Sequence, residues 1–185
     1  MSKKVLMIVG SQREKSFNLQ VAKEAAVFLE GKAEVSFLQY ADLPNMNQDI
    51  EFPAPSEVER VRTKVKEADG IWIITPEYNG SYPGTLKNLL DWLSRPLYAD
   101  QPMGETAVLG KKFTISGAGG RAATAGARGK LTELLKFIRT DVMETPSTGI
   151  ALERESFMTN QLELSEDKKA ELKDQAEAFI EFIVS

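Results

Sequence analysis

VLMIVGSQREKSFN, residues 5–18, is the stretch that decides the fold class. It begins with five consecutive apolar residues, which favour a buried strand, and continues through a polar loop that opens on Gly10. Beyond the loop, apolar residues recur at helical spacing at Leu19, Ala22, Ala26 and Leu29. A buried strand, a glycine-started loop and a helix in this order are typical of the first half of a βαβ unit.

The same alternation of short apolar runs and helical patterns continues along the chain. Further strands are expected at 33–37, at 71–74, around 113–116 and within 142–152. Helical patterns lie between them, and a last helix is expected after Ser165, a predicted N-cap. Strands that alternate with helices predict an α/β fold with a parallel sheet. We find no repeat and no second-domain boundary, so residues 1–185 are expected to form a single domain.

The composition excludes several classes of chemistry. Lys and Arg number 23 against 27 Asp and Glu, and the net charge of −4 argues against a surface for nucleic acid or anionic lipid. Cysteine and histidine are absent, so the chain lacks thiol nucleophiles, histidine bases and the usual zinc ligands. The apolar run at 5–9 is too short for a signal-peptide core or a membrane span. We therefore expect a cytoplasmic protein with no metal site.

The loop at 10–18 has the chemistry of a phosphate site. Ligands of doubly wound sheets lie beyond the carboxyl ends of the strands, and a helix N-terminus there offers N–H groups and a positive dipole end. Ser11, Ser16 and Asn18 add neutral donors, and Arg13 can bind two phosphate oxygens at once. Beyond Gly10, the loop lacks the second glycine of a Walker A motif and two of the glycines of a dinucleotide fingerprint. The alternative is that its serines only cap the helix.

Two further loops follow strands and are candidates for ligand contact. PEYNGSYPG, residues 76–84, contains Tyr78 and Tyr82, which are too large and amphipathic to be explained by turning alone. This loop could pack against a planar ring, or it could be a tight surface loop whose tyrosines cover the core. SGAGG, residues 116–120, could bring backbone close to a flat ligand, although glycines also simply make turns.

Taken together, the three loops resemble those of the NADPH-dependent FMN reductase family of the flavodoxin-like fold. The family run G-S-x-R-x-x-S-x-N is met in full from Gly10 to Asn18. The run P-E-Y-N-G-S-x-P-G-x-L-K-N-x-x-D-W is met from Pro76 to Trp92. The third loop departs from the family pattern because the pair Gly119-Gly120 comes early, which leaves open which glycine lies against the flavin.

The resemblance implies a doubly wound, five-stranded parallel sheet of order 2-1-3-4-5 with helices on both faces. It also implies FMN as the cofactor, with its phosphate held by the first loop and its isoalloxazine ring lined by the second. The residues expected to contact FMN are Ser11, Arg13, Ser16, Phe17, Asn18, Pro76, Glu77, Tyr78, Asn79, Gly80, Ser116, Gly117 and Gly119.

The function implied by the resemblance is that of an NAD(P)H oxidoreductase. NADPH or NADH would deliver hydride to flavin N5, and a small acceptor such as a quinone, an azo compound, free flavin or chromate would then take the electrons in a ping-pong cycle. No side chain is expected to be catalytic, and a homodimer or homotetramer is expected. The alternatives are a flavodoxin-type electron carrier and a flavin-binding sensor without NAD(P)H turnover.

Overall fold

The computed structural model describes residues 2–101 and 104–185. Its strands are β1 (Lys3–Val9), β2 (Ala33–Phe37), β3 (Gly70–Ile74), β4 (Lys112–Gly119), β5 (Asp141–Met143) and β6 (Gly149–Ala151). Its α-helices are α1 (Phe17–Phe28), α2 (Ser56–Glu67), α3 (Gly84–Leu93), α4 (Ala125–Phe137), α5 (Arg154–Thr159) and α6 (Glu166–Val184), and a 3₁₀ turn covers Gln48–Ile50.

The sheet is parallel throughout, with the strand order β2-β1-β3-β4-β5. This order is that of the flavodoxin-like doubly wound fold, and it confirms the predicted topology. The order reverses between β1 and β3, so the loops that follow these two strands diverge at the carboxyl edge of the sheet and leave a crevice.

The fifth position of the sheet is occupied by two short strands rather than by one. β5 pairs with the beginning of β4, and β6 pairs with its end. The residues between β5 and β6 include Pro146, which cannot donate to a ladder, so the pairing is interrupted there and resumes at Gly149. The expected single strand within 142–152 is corrected accordingly.

The fourth strand extends three residues beyond its predicted end at Ser116. Gly117, Ala118 and Gly119 pair in register with Gly149, Ile150 and Ala151 of β6. The Gly- and Ala-rich stretch therefore begins as a strand rather than as a loop, because β6 supplies its backbone partners.

Helices cover both faces of the sheet, as expected. On one face, Leu6, Ile8, Ile71 and Ile73 pack with residues of α2, α3 and α4. On the other face, Val5, Met7, Trp72 and Ile74 pack with residues of α1 and α6. β3 is buried at every position because it lies in the middle of the sheet between two helical layers.

The buried stripe of α1 is rotated slightly from the predicted one. Val21, Ala22, Ala25 and Leu29 are fully buried, whereas Leu19 and Ala26 are half-buried at the edges of the stripe. Ser165 caps α6 as predicted, since its Oγ accepts from the Lys168 N–H. In the ranges that the structure describes, no helix combines the length and the apolar composition needed to cross a bilayer.

Candidate functional site

A pocket of about 430 Å³ opens where the chain leaves β1, β3 and β4 at their carboxyl ends. Its volume lies within the range of small-molecule and cofactor sites, roughly 300–1,000 Å³. The three candidate loops all contribute to it. The lining residues are Ser11, Arg13, Ser16, Phe17, Asn18, Pro76, Glu77, Tyr78, Ala118, Gly119, Gly120, Leu152, Phe157 and Asn160.

The first loop ends at the N-terminus of α1 and presents the groups that bind an anion. Ser16 is the N-cap of the helix, and its Oγ accepts from the Leu19 N–H at 3.4 Å. The N–H groups of Phe17 and Asn18, at the start of the helix, have no partner one turn earlier in α1. Ser16 therefore caps α1. This capping role is compatible with an anion at the same helix end.

Arg13 extends over the pocket from the exposed part of the same loop. Its Nη1 donates to the Asn160 Oδ1 at 2.7 Å, and its guanidinium carbon lies 5.0 Å from the centre of the Phe17 ring. Both contacts favour one orientation of a long and otherwise mobile side chain. The guanidinium retains further N–H groups that can face a bound anion.

Asn18 connects α1 to the sheet. Its Nδ2 donates to the Ala118 carbonyl at 3.0 Å, and its Oδ1 accepts from the Ala118 N–H at 2.9 Å. The side chain is 3% exposed. Its amide therefore fixes the distance between the first loop and the end of β4, and only one amide N–H remains for a ligand.

The second loop is a two-residue hairpin. The Tyr78 N–H donates to the Ser81 carbonyl at 2.8 Å, and the Ser81 N–H donates to the Tyr78 carbonyl at 3.0 Å. Asn79 and Gly80 form the turn with positive φ values of 53° and 70°, as a type I′ turn requires. The Tyr78 N–H is thus used within the turn. Its ring lines the pocket and is 54% exposed, while Asn79 and Gly80 lie at the tip, outside the pocket lining.

Two hydrogen bonds with residues of α4 hold this hairpin in place. The Glu77 Oε2 accepts from the Ala127 N–H at 2.9 Å, so its carboxylate caps a helix that has no side-chain cap of its own. The Lys130 Nζ donates to the Gly80 carbonyl at 2.7 Å. The carboxylate at a positive helix end and the ammonium at the hairpin tip together set the position of the loop.

Ser116 and Gly117, in the third segment, are directed away from the pocket. The Ser116 hydroxyl is fully buried, accepts from the Trp72 indole N–H at 3.0 Å and donates to the Gln175 Oε1 at 2.8 Å. A Cβ at Gly117 would collide with the Thr124 hydroxyl and the Thr75 carbonyl. Neither residue lines the pocket, because β4 continues past them and reaches the pocket only from Ala118 onwards.

The glycines of the third segment that reach the pocket lie at the end of β4. Gly119 and Gly120 both line the pocket. A Cβ at Gly120 would meet nothing within 4 Å, whereas one at Gly119 would come within 2.8 Å of the Thr124 side chain. Backbone can therefore approach a flat ligand closely at this point.

The contribution of α5 and of the residues that flank it was not predicted from the sequence. Leu152, Phe157 and Asn160 all line the pocket, although they follow the last recognised loop by more than thirty positions. The available signal was the apolar pair Phe157-Met158 in an otherwise polar stretch. Phe157 is 56% exposed, and its ring packs edge-on against Phe17 at 5.6 Å.

Tyr40 supports the first loop from behind. Its hydroxyl donates to the Val9 carbonyl at 2.8 Å, immediately before Gly10. Burial raises the pKa of this phenol to about 12, although hydrogen bonds with Gln12 and Thr85 oppose the shift. The group therefore stays neutral and continues to donate at any ordinary pH.

Among the residues described, no group of three or more acidic side chains is arranged to hold a metal ion.

The fold and this pocket define a flavodoxin-like protein with a pocket of cofactor size at the carboxyl edge of its sheet. A model of the NADPH-dependent FMN reductase family matches residues 3–152. A 2-hydroxy-1,4-benzoquinone reductase from Burkholderia sp. is 33% identical over 91% of this chain and 90% of its own length. An NAD(P)H-dependent FMN reductase from Pseudomonas aeruginosa is 35% identical over 91% of this chain and 88% of its own length.

A solved structure agrees with these relatives. FerB, a flavoenzyme NAD(P)H:(acceptor) oxidoreductase from Paracoccus denitrificans, superposes with a TM-score of 0.85 at 32% identity, covering 98% of this chain and 97% of its own. The chain belongs to the NADPH-dependent FMN reductase family. It is an oxidoreductase whose cofactor is FMN and whose electron donor is NAD(P)H, which confirms the resemblance seen in the sequence.

Proposed function

We propose that this protein binds FMN in the pocket at the carboxyl edge of the sheet and passes electrons from NAD(P)H to quinones and related small acceptors. The observation that carries the proposal is the convergence of the phosphate-type loop, the Tyr78 hairpin and the Gly119-Gly120 end of β4 on one pocket of about 430 Å³. The names of the Burkholderia and P. aeruginosa relatives support this choice of acceptor and donor.

The residues present fit FMN. The hydroxyls of Ser11 and Ser16, the Arg13 guanidinium and the first N–H groups of α1 form a donor set suited to a phosphate dianion. Pro76 and Tyr78 on one side, with Gly119 and Gly120 on the other, would line the isoalloxazine ring, and the Glu77 backbone would face its polar edge. Asn79 and Gly80 would act by shaping the hairpin, and Ser116 and Gly117 by fixing β4 beneath it.

The protein's own contribution is binding and orientation. Bound FMN supplies the capacity to accept and release hydride, so the chain needs no histidine or cysteine for the reaction. The exposed Tyr78 ring borders the open side of the pocket, where the nicotinamide and then the acceptor would stack in turn. If donor and acceptor bind at the same site, the oxidised nucleotide must leave before the acceptor enters. Such an order of binding is a ping-pong cycle.

The proposal also includes the assembly and location of the protein. Each chain would form a single domain, and two or four chains would associate into a homodimer or homotetramer in the cytoplasm. Exposed apolar side chains support a contact between copies, among them Phe137 at 84% exposure and Tyr98 at 54%. Sedimentation equilibrium over a range of protein concentrations distinguishes the monomer, dimer and tetramer.

The deciding experiment is the visible spectrum of the FMN-reconstituted protein before and after anaerobic addition of NADPH, with NADH in parallel. We expect the bound-flavin band to bleach and to return when a benzoquinone is added. Initial rates over a grid of NADPH and quinone concentrations should give parallel double-reciprocal lines. Flavin that binds but stays oxidised would indicate a carrier or sensor, and a protein that binds no flavin would refute the assignment of the pocket.

A further inference from the structure

The α5 segment is an additional wall of the pocket, and it lies beyond the part of the chain that the family match covers. The match ends at residue 152, whereas α5 spans Arg154–Thr159 and is followed by Asn160. Asn160 and Phe157 both line the pocket. Their contacts with the first loop indicate what these residues do.

Asn160 makes the hydrogen bond that orients Arg13. The Arg13 Nη1 donates to the Asn160 Oδ1 at 2.7 Å, while the Phe17 ring supports the guanidinium from one face. An exposed arginine without such contacts would lose much rotamer freedom when it bound a phosphate. Because Asn160 and Phe17 already hold the guanidinium in the free protein, the Arg13 side chain loses this rotamer freedom when the protein folds and not when the ligand binds.

The position of Asn160 is itself fixed by α1. The Gln20 Nε2 donates to the Asn160 carbonyl at 3.1 Å, and the Gln20 Oε1 accepts from the Leu162 N–H at 2.8 Å. Asn160 adopts a left-handed conformation with φ 56°, which asparagine tolerates better than most residues. A single glutamine amide thus clamps both sides of this left-handed turn and aims the Asn160 side chain at the first loop.

We infer that Asn160 is a positioning residue for the cofactor phosphate, acting through Arg13. The inference rests on the proposed phosphate contact of Arg13 and predicts an effect that depends on the phosphate. FMN carries this phosphate and riboflavin does not, so the ratio of their affinities isolates the contribution of Arg13 and Asn160 from that of the ring-binding residues.

The test compares dissociation constants of FMN and riboflavin, measured by quenching of flavin fluorescence, for the wild type and Asn160→Gly. Glycine adopts the left-handed conformation readily and removes the side chain that carries the amide. We expect the FMN dissociation constant to rise about three- to tenfold, as for the loss of one hydrogen bond, with riboflavin unchanged. Arg13→Ala should weaken FMN by roughly 10- to 150-fold. Adding Asn160→Gly to Arg13→Ala should have no further effect.

Two additional variants control for disturbance of α5. Met158→Ala changes a neighbouring side chain that is 75% exposed and lies outside the pocket lining, so FMN and riboflavin affinities should both match the wild type. Gln20→Ala keeps the Asn160 side chain but frees its backbone. It should weaken FMN selectively, by less than Asn160→Gly does.

The outcomes separate this inference from the function on which it rests. A wild type that binds FMN and riboflavin equally well would refute the phosphate role of the first loop itself. If Arg13→Ala abolishes the preference for FMN and Asn160→Gly does not reduce it, only the inference about Asn160 fails. Equal weakening of both flavins by Asn160→Gly, or tighter FMN binding, would also overturn it.

Discussion

Gln175 is a buried polar side chain whose replacement should lower the stability of the protein markedly. It lies on α6, is fully buried and uses both ends of its amide. Its Nε2 donates to the Thr114 Oγ1 at 2.8 Å and to the Ile115 carbonyl at 3.0 Å. Its Oε1 accepts from the Ser116 hydroxyl and from the Thr148 N–H, both at 2.8 Å. One amide therefore joins α6 to β4 and to the residue before β6.

Gln175→Leu keeps a similar volume and removes all four hydrogen bonds. The Ile115 carbonyl still accepts from the Ser147 hydroxyl, and the Ser116 hydroxyl still accepts from the Trp72 indole N–H. The main groups left without a partner are therefore the Thr148 N–H and the buried Thr114 hydroxyl. Each unsatisfied buried group costs about 1–3 kcal/mol, and burial of the leucine offsets part of this cost. We expect the free energy of unfolding to fall by roughly 2–5 kcal/mol, a large part of the ~5–15 kcal/mol that holds a typical domain together.

Urea unfolding at 25 °C, followed by tryptophan fluorescence, measures this loss. Trp72 donates to Ser116 in the same network, so its emission reports on the region directly. With a slope of about 1–3 kcal/mol per molar urea, the midpoint should move by at least ~0.7 M. Gln161→Leu, at an exposed position, is the matched control and should leave the midpoint unchanged. A decrease in the free energy of unfolding of less than about 1 kcal/mol would refute the reasoning, because two buried polar groups without hydrogen-bond partners should destabilise the fold by more than that.

Three further predictions, made with four substitutions, concern residues that support or line the pocket. Glu77→Gln should lower the free energy of unfolding by about 0.5–1 kcal/mol in urea, because a neutral amide interacts less favourably with the N-terminus of α4. Gly117→Ala should lower the free energy of unfolding by ~1–3 kcal/mol, since the added methyl group would collide with its neighbours. Gly120→Ala should change it by no more than about 0.5 kcal/mol, because a Cβ there meets nothing within 4 Å. For Tyr40, the raised pKa of about 12 predicts that folding stability declines by roughly 2–3 kcal/mol as the pH rises from about 10 to about 12, and Tyr40→Phe should flatten this decline.

Each of these predictions has an outcome that would contradict it. Equal stability of Glu77→Gln and the wild type would mean that the carboxylate charge contributes nothing at the end of α4. Similar losses for Gly117→Ala and Gly120→Ala would show that the space at Gly117 is not limiting. For Tyr40 the sign follows from tighter proton binding in the folded state, so a stability that rises above pH 10 in the wild type relative to Tyr40→Phe would exclude the buried, protonated phenol.

Local patterns in the sequence were sufficient to predict most of the fold and two of the three pocket loops. The strand at 5–9 and the loop after it were readable because five apolar residues followed by Gly10 have few other structures open to them. The hairpin at Tyr78 was recognisable as a tight turn because Asn79 and Gly80 both accept positive φ. A fifth strand in this region was predicted, but its division into β5 and β6 was not, since that division depends on pairing with β4 and not on the pattern of residues 142–152 alone.

By itself, then, the sequence determined the parallel α/β sheet, its phosphate-type loop and its family, because these depend on residues that are neighbours along the chain. Only the tertiary structure decided that Ser116 faces Gln175 in the core, that Asn18 binds the Ala118 backbone and that Asn160 reaches Arg13. The Asn18 and Asn160 contacts join residues 100 and 147 positions apart. Which side chains meet at such separations is set by strand register and by the packing of helices on the sheet, and no local pattern encodes either.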